Sequence, residues 1–274
     1  MLKTIFKYIV LPFISIPLLY GVWLLLRAFV FDYFTIPTNS MYPTLKPGYK
    51  VVVNKLLMGA RIYKEFDFPN NHELKSWRTK GMRPIKHNDI VVFNFPQRDG
   101  KIGFTINYVF CKRDMALPGD TLSIVNGYYK NNNYEGVLGL ENQQRILSDT
   151  PDSLVGPMLV SMPYAWHLKW TIRNFGPLYM PRKGETIRLV PSNASPYRTL
   201  LEWEIGKEIT WDWDTETVFA DGKPIKWHTF QHSYYFMAGD NVMDSSDSRY
   251  WGLVPEEYIV GVVDWIIEGE KSER

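Results

Sequence analysis

With 274 residues, 45% of them hydrophobic and 22% charged, the chain has the make-up of one large folded domain or two modest ones, which excludes disorder along its length. Lysine and arginine number 31 against 29 aspartates and glutamates, so no basic field exists to hold a nucleic-acid backbone, and nucleic acid is excluded as a partner. A lone cysteine, Cys111, excludes an internal disulfide, a multi-cysteine zinc site and an iron–sulfur cluster.

The first predicted element is a membrane anchor. Between Lys7 and Arg27 lie nineteen uncharged residues, 8–26, which as a helix rising ~1.5 Å per residue span roughly 28 Å, close to the ~30 Å of a hydrocarbon core. If Arg27 snorkels toward the headgroups, the apolar run continues to Phe31 and ends at Asp32. Pro12 and Pro17 are tolerated in a membrane span. A cleavable secretory signal is the competing reading, since Lys3 and Lys7 form a positive flank, but the run is too long and 31–35 lack an Ala-x-Ala-like cleavage site. Lys3 and Lys7 against Arg27 favour a cytoplasmic amino terminus, with everything after residue 32 across the membrane.

Beyond the anchor the chain reads as β structure. Short apolar runs at 51–53, 90–95, 104–111, 121–125, 218–220, 234–238 and 258–267 predict strands, in keeping with 15% aromatic residues. Asn126-Gly127 and Asp221-Gly222 predict type I′ hairpins, whose central residues both need positive φ. A short helix is expected at 141–147, and no later segment shows four clean helical turns. Residues 58–88, with Asn70-Asn71, and a long section, 128–231, interrupt the pattern as insertions. In the latter, Trp166, Trp170, Trp203, Trp211, Trp213 and Trp227 are assigned to core and strand packing. The expected division is 1–32 for the cytoplasmic terminus and anchor, 33–127 for a catalytic β core carrying the 58–88 insertion, 128–231 for a β-rich insertion or cap, and 232–274 for the return to the core.

The chemistry begins thirteen residues after Arg27. Ser40, in the run 36–45, stands between Pro37 and Pro43, which restrict the backbone around it and suit a nucleophile. Serine needs a base within hydrogen-bond reach. None of the five histidines, His72, His87, His167, His228 and His232, sits in a triad-like pattern, so lysine becomes the candidate. Lys112 closes the apolar run 108–111 and precedes the turn Pro118-Gly119-Asp120. A polar loop at 239–252, dense in small hydrogen-bonding residues, is expected to support the site. Extended chain at ~3.3 Å per residue puts Ser40 at most ~26 Å beyond the anchor, near the membrane.

At these residues the chain resembles the type I signal peptidases, membrane-anchored Ser/Lys proteases that remove signal peptides from exported proteins. Four blocks occur in the family's order: Ser-Met-x-Pro-Thr-Leu at 40–45, Asp-Ile-Val-Val-Phe at 89–93, Lys-Arg with Leu-Pro-Gly-Asp at 112–120, and Gly-Asp-Asn with Ser-x-Asp-Ser-Arg at 239–249. They cover a small share of the residues but bracket most of the chain. The resemblance implies an all-β catalytic domain of signal-peptidase type, built of coiled antiparallel sheets, with one N-terminal transmembrane helix. It implies a single-pass protein of a bacterial cytoplasmic membrane with its catalytic domain on the outer face, no cofactor and no metal. Signal peptides of preproteins, the lipid bilayer and the secretion translocon would be its partners.

The resemblance further implies Ser40 as nucleophile, Lys112 as general base, and Ser245 as the hydroxyl that orients the amine. Thr38, where the family usually has serine, would form the oxyanion hole with the Ser40 N–H. Asp247 and Arg249 would be a supporting ion pair, Arg113 a neighbour of undefined role, and Ile36 and Cys111 lining of shallow pockets for small side chains. Asn39 stands where glycine is common, and Met243 and Asp244 depart from the last block.

In physical terms, an exposed lysine titrating near 10.4 is neutral in only about one molecule in a few thousand at pH 7. Apolar surroundings that lower this by ~2–3 units would let Lys112 take the Ser40 proton. Competing readings are a membrane-tethered β scaffold that binds signal peptides without cutting them, and a penicillin-binding or β-lactamase-like acyltransferase. The latter needs Ser-x-x-Lys on one helix, and position 43 is proline. His228 and His232 have ligand-like spacing but lack the glutamate of a metalloprotease helix. Asp212, Asp214 and Glu216 begin like a calcium loop, but Thr217 takes its glycine position, so a solvated turn is expected. Asn193-Ala194-Ser195 fits a glycosylation acceptor, which carries no weight in a bacterial setting.

Overall fold

The computed structural model describes residues 11–65 and 74–269. Lys3, Lys7, the first three residues of the predicted anchor (8–10), Asn70, Asn71 and His72 lie outside these. A helix spans Leu11–Phe29, and among the described residues no helix is long and apolar enough to cross a membrane. The chain leaves this helix directly into strand β1 (Phe31–Thr35). Arg27 and Lys55 both contact the Asp32 carboxylate, at 2.6 and 3.2 Å, and Lys55 Nζ also donates to the Arg27 carbonyl at 2.7 Å.

One seven-stranded sheet organises the molecule. Its other strands are β2 (Lys50–Asn54), β3 (Ile90–Asn94), β4 (Val109–Ala116), β5 (Tyr234–Ala238), β6 (Val254–Pro255) and β7 (Ile259–Ile267), in the spatial order β1-β2-β7-β3-β4-β5-β6. Every pairing is antiparallel. Register shifts interrupt β5 against β4 and β7 against both its neighbours, irregularities of the kind that bend and twist a sheet. Val91, Phe93, Phe104, Met237, Tyr258 and Ile259 form one buried cluster, while Ile36, Met41, Leu45, Val51, Val53, Val92 and Val260 form a second.

The middle of the chain adds small sheets. Thr121–Val125 pairs with Tyr128–Asn131 and Phe175–Tyr179, and Ile209–Asp212, Thr217–Ala220 and Lys223–Ile225 form a meander. Their apolar residues share a core with Met115, Ala116, Phe236 and Ala238 of the main sheet. The helix expected at 141–147 runs Glu141–Asp149, and a second, Arg198–Ile205, had no clear signal in the sequence.

Three sequence expectations are corrected. The strand placed at 104–111 begins only at Val109 and continues to Ala116. Asn94 Nδ2 donates to the Thr105 and Ile106 carbonyls at 3.0 and 2.8 Å, occupying groups that a ladder would have used. Lys112 therefore does not close a strand but lies inside one, because Lys112, Arg113 and Asp114 are accommodated within the sheet instead of breaking it. Of the six tryptophans assigned to packing, Trp170, Trp203 and Trp211 lie against the core, whereas Trp166, Trp213 and Trp227 are exposed. Nearby, Asp212 Oδ1 accepts the Asp214 and Thr215 N–H groups, as a turn does.

Both predicted hairpin turns are present, with φ of 49° and 87° at Asn126 and Gly127 and 46° and 72° at Asp221 and Gly222. A Cβ at Gly222 would meet no atom. Gly222→Ala thus tests backbone conformation alone and is expected to cost about 1–2 kcal/mol, read as a lowered denaturant midpoint.

Candidate active site

The loop between β1 and β2 carries Ser40 away from the sheet and back. Its ends are pinned by Ile36 N–H to the Tyr49 carbonyl and Gly48 N–H to the Ile36 carbonyl, both 2.8 Å. Within it, Met41 and Leu45 are fully buried, so the loop is plugged into the core on either side of the exposed Tyr42. Ser40 is left half-buried at the surface.

Lys112 reaches the same point from β4, where it pairs with Val91 of β3. Its side chain is nearly withdrawn from water, at 4% exposure, and its Nζ is in hydrogen-bond contact with Ser40 Oγ. The Phe110 ring lies 5.7 Å from the amine. Burial lowers the Lys112 pKa from the ordinary lysine value, against the opposing attraction of Asp247. Asp114, two residues along, is fully buried, and burial raises its carboxyl well above the usual range. Burial thus disfavours a second anion that would stabilise an ammonium.

The segment after β5 forms the other wall. Asp240 receives Arg113 through Nε at 2.7 Å and Nη2 at 2.6 Å, and also accepts from Thr44 Oγ1 at 2.5 Å. Asn241 N–H donates to the Ser40 carbonyl at 3.1 Å, and Asn241 Nδ2 to the Asn39 carbonyl at 3.2 Å. The strand holding the amine and the loop holding the hydroxyl are thereby tied to a common point. The sequence gives Asp240 and Asn241 only the general supporting role expected of the loop 239–252 and gives Thr44 none, although the Gly-Asp-Asn run and the Thr of the Ser40 block are available signals. At Gly239 a Cβ would collide with Ser245 Oγ and the Ser40 carbonyl, which explains glycine there.

Asp247 and Arg249 are completely buried and joined at 2.8 Å by both Nε and Nη2. Burial pushes the Asp247 carboxyl up, and the Arg249 guanidinium more than reverses this, leaving it below the usual range. Asp247 also accepts the Gly239 N–H at 3.0 Å.

The remaining expected residues are placed as follows. Thr38 Oγ1 is 3.4 Å from Ser40 Oγ. Ser245 is buried, but its hydroxyl has no hydrogen-bond partner among the described residues, so the expected bond to the lysine amine is not made. Ile36 and Cys111 line a cavity of about 780 Å³ together with Thr38, Ser40 and Lys112. Burial pushes the Cys111 thiol up to about 12, so it is protonated at neutral pH. Away from the site, His228 Nε2 lies 2.6 Å from Glu204 and His232 Nδ1 2.7 Å from Glu257.

Removing one member of the buried ion pair leaves the other uncompensated. Asp247→Leu is therefore expected to destabilise the fold by about 3–5 kcal/mol in denaturant titration, and adding Arg249→Met to restore much of the loss.

A family model described as signal peptidase, peptidase S26, matches residues 6–268. Among similar proteins, a signal peptidase I of Pseudomonas aeruginosa is 26% identical over 87% of this chain, and the chain spans less than two thirds of its length, 65%. One from Buchnera aphidicola is 28% identical over 95% of this chain and 77% of its own, and one from Helicobacter pylori 29% over 87% and 75%. A crystal structure of a signal peptidase I from Enterococcus faecalis aligns with a TM-score of 0.32 and 16% identity, over 67% of this chain and 100% of that one. All the residues placed around Ser40 fall within 6–268, and the chain belongs to the signal peptidase family, peptidase S26.

Proposed function

We propose that this chain is a serine endopeptidase that removes amino-terminal signal peptides from exported preproteins through Ser40 and Lys112. The contact between Ser40 Oγ and an almost dry Lys112 amine carries the proposal. A neutral amine accepts the hydroxyl proton as Oγ attacks the scissile carbonyl. The developing oxyanion is received by Thr38 Oγ1 and the Ser40 N–H. Collapse of the tetrahedral intermediate passes the proton from the Lys112 ammonium to the leaving amine, which frees the mature protein and leaves the signal fragment esterified to Ser40. Water deprotonated by the same amine then releases that fragment.

Supporting roles follow from contacts. Asp240, with Arg113, Thr44 and Asn241, holds the two reacting side chains in register. The Asp247–Arg249 pair fixes the backbone that faces them. Ile36 and Cys111 shape a cavity for the small side chains before the cut, and Ser245 is available to the lysine once its hydroxyl finds a partner. We further assign 33–127 and 232–274 to the catalytic core and 128–231 to a cap on it.

The uncharged run 8–26 supports tethering to a bacterial cytoplasmic membrane, with the catalytic part on the outer face beside the bilayer and the translocon. A signal peptide whose apolar core stays in the bilayer presents its cleavage region at that height.

Incubating the detergent-solubilised protein with an exported precursor and sequencing the new amino terminus tests the activity. Ser40→Ala and Lys112→Met are each expected to abolish cleavage while circular dichroism stays unchanged; processing by either purified variant would overturn the dyad. Because the lysine pKa is lowered and the neutral amine is the active form, activity is expected to fall as acid protonates it, with a midpoint below that of free lysine, ~10.4. A rate still climbing steadily beyond pH 10 would contradict this.

A further inference from the structure

The cavity at Ser40 carries a charge that the proposed chemistry does not use. Among its lining residues, 35–41, 107–112, Asp244 and Ser246, the ionisable side chains other than the thiol and the tyrosine are Lys112 and Asp244. Lys112 is buried and is taken up by the proposed chemistry. Asp244 is exposed. Its backbone N–H donates to the Asn241 carbonyl at 3.0 Å, fixing the turn that presents it, but its carboxylate makes no hydrogen bond or ion pair among the described residues. The carboxylates around it are engaged, Asp240 by Arg113 and Thr44, and Asp247 by Arg249. Asp244 alone is left free, at the wall of the cavity that holds the nucleophile.

We infer that Asp244 is a specificity-determining residue that selects substrates bearing lysine or arginine beside the scissile bond and disfavours those bearing glutamate or aspartate there. The inference rests on the proposed peptidase function and extends it from the small side chains before the cut to the charge around it. Asp244 lies on the side of Ser40 defined by Asn39 and Asn241, whose side chain and backbone join the two segments. Ile36, Val109 and Cys111, which pack as one apolar cluster, line the same cavity. A peptide that seats a small residue against these apolar side chains shares its cavity with the Asp244 carboxylate. An unpaired carboxylate next to the low-dielectric wall of a cleft acts on a nearby charge with little competition from a fixed counter-ion.

The test uses the full-length, detergent-solubilised protein and peptides with Ala-x-Ala before the bond, carrying lysine, glutamine or glutamate at the first or second position after it. The expected kcat/KM ratio of lysine to glutamate peptide is about tenfold, ~1.4 kcal/mol, at one of these positions, residing chiefly in KM. It should shrink toward one in Asp244→Asn, invert in Asp244→Lys, and weaken in high salt. Ratios within twofold at both positions, or a preference that persists in Asp244→Asn, would overturn the inference. Fluorescence anisotropy of the same peptides on Ser40→Ala separates this from the peptidase proposal. If the wild-type protein cuts nothing, that proposal fails, while tighter binding of the lysine peptide that requires Asp244 still supports charge selection and equal binding of all peptides rejects it.

Discussion

A lysine amine kept out of water and against a serine hydroxyl is the constraint on which the rest of the site depends. An ammonium at such a position loses its hydration and, unless paired, gives up its proton instead. The surroundings of Lys112 keep it unpaired. Asp247 attracts it, but that carboxylate is already bound in a two-pronged contact with Arg249, whose own positive charge opposes an ammonium. Asp114 is silenced by burial, and Asp240 is committed to Arg113. Three acidic residues lie close to the lysine in sequence or space; Asp247 and Asp240 still pull its pKa upward, and burial outweighs them.

Holding the hydroxyl is a separate problem, because Ser40 sits in an irregular loop while Lys112 sits in a sheet. Met41 and Leu45 anchor the loop by burial, and Asp240 anchors it by polar contacts to both Thr44 and the strand neighbour of the lysine. Apolar plugging limits how far the loop can lift, and the directional bonds set its position along the strand. Neither suffices alone, since apolar contact is non-directional and a hydrogen bond contributes only about 1 kcal/mol net. Gly239 belongs to the same arrangement, because a side chain there would occupy the space in which the Ser40 carbonyl and Ser245 meet.

Much of this was legible in the sequence, and the exceptions have physical causes. The strands at 50–54, 90–94, 121–125 and 234–238 are apolar runs bounded by turn residues, so pattern alone finds them. The Asn-Gly and Asp-Gly turns follow from the positive φ that both positions require. Strand β4 differs from the sequence expectation because periodicity cannot register that Lys112, Arg113 and Asp114 are inside the sheet, each accommodated by a different device: an amine in contact with Ser40, an ion pair, a buried acid. The helix Arg198–Ile205 was missed because Trp203, Leu200 and Leu201 also suit a strand, and its length offers barely two turns of periodicity. Within the site, Ser40, Lys112, Asp247 and Arg249 stood out as blocks, whereas Asp240 and Thr44 matter through a contact 196 residues apart in the chain, which no local pattern contains.

The geometry also bears on how the amino-terminal helix relates to the site. A helix followed by a flexible linker would leave Ser40 at no fixed height above its end. Here the connection is a single residue, Val30, before β1, and its N–H continues the helical bonding to Leu26. Lys55, from the end of β2, donates to the Arg27 carbonyl at the helix end, where a cation is favoured, and both Lys55 and Arg27 meet Asp32. The Tyr33 and Trp23 rings, 4.8 and 5.2 Å from the guanidinium, pack the same corner. Since β1 and β2 are the two strands that launch and receive the Ser40 loop, the corner that orients the helix and the loop that carries Ser40 share one two-stranded support. Under the proposed anchoring and activity, the distance from bilayer to hydroxyl is set by these strands and their ion pairs rather than by a tether.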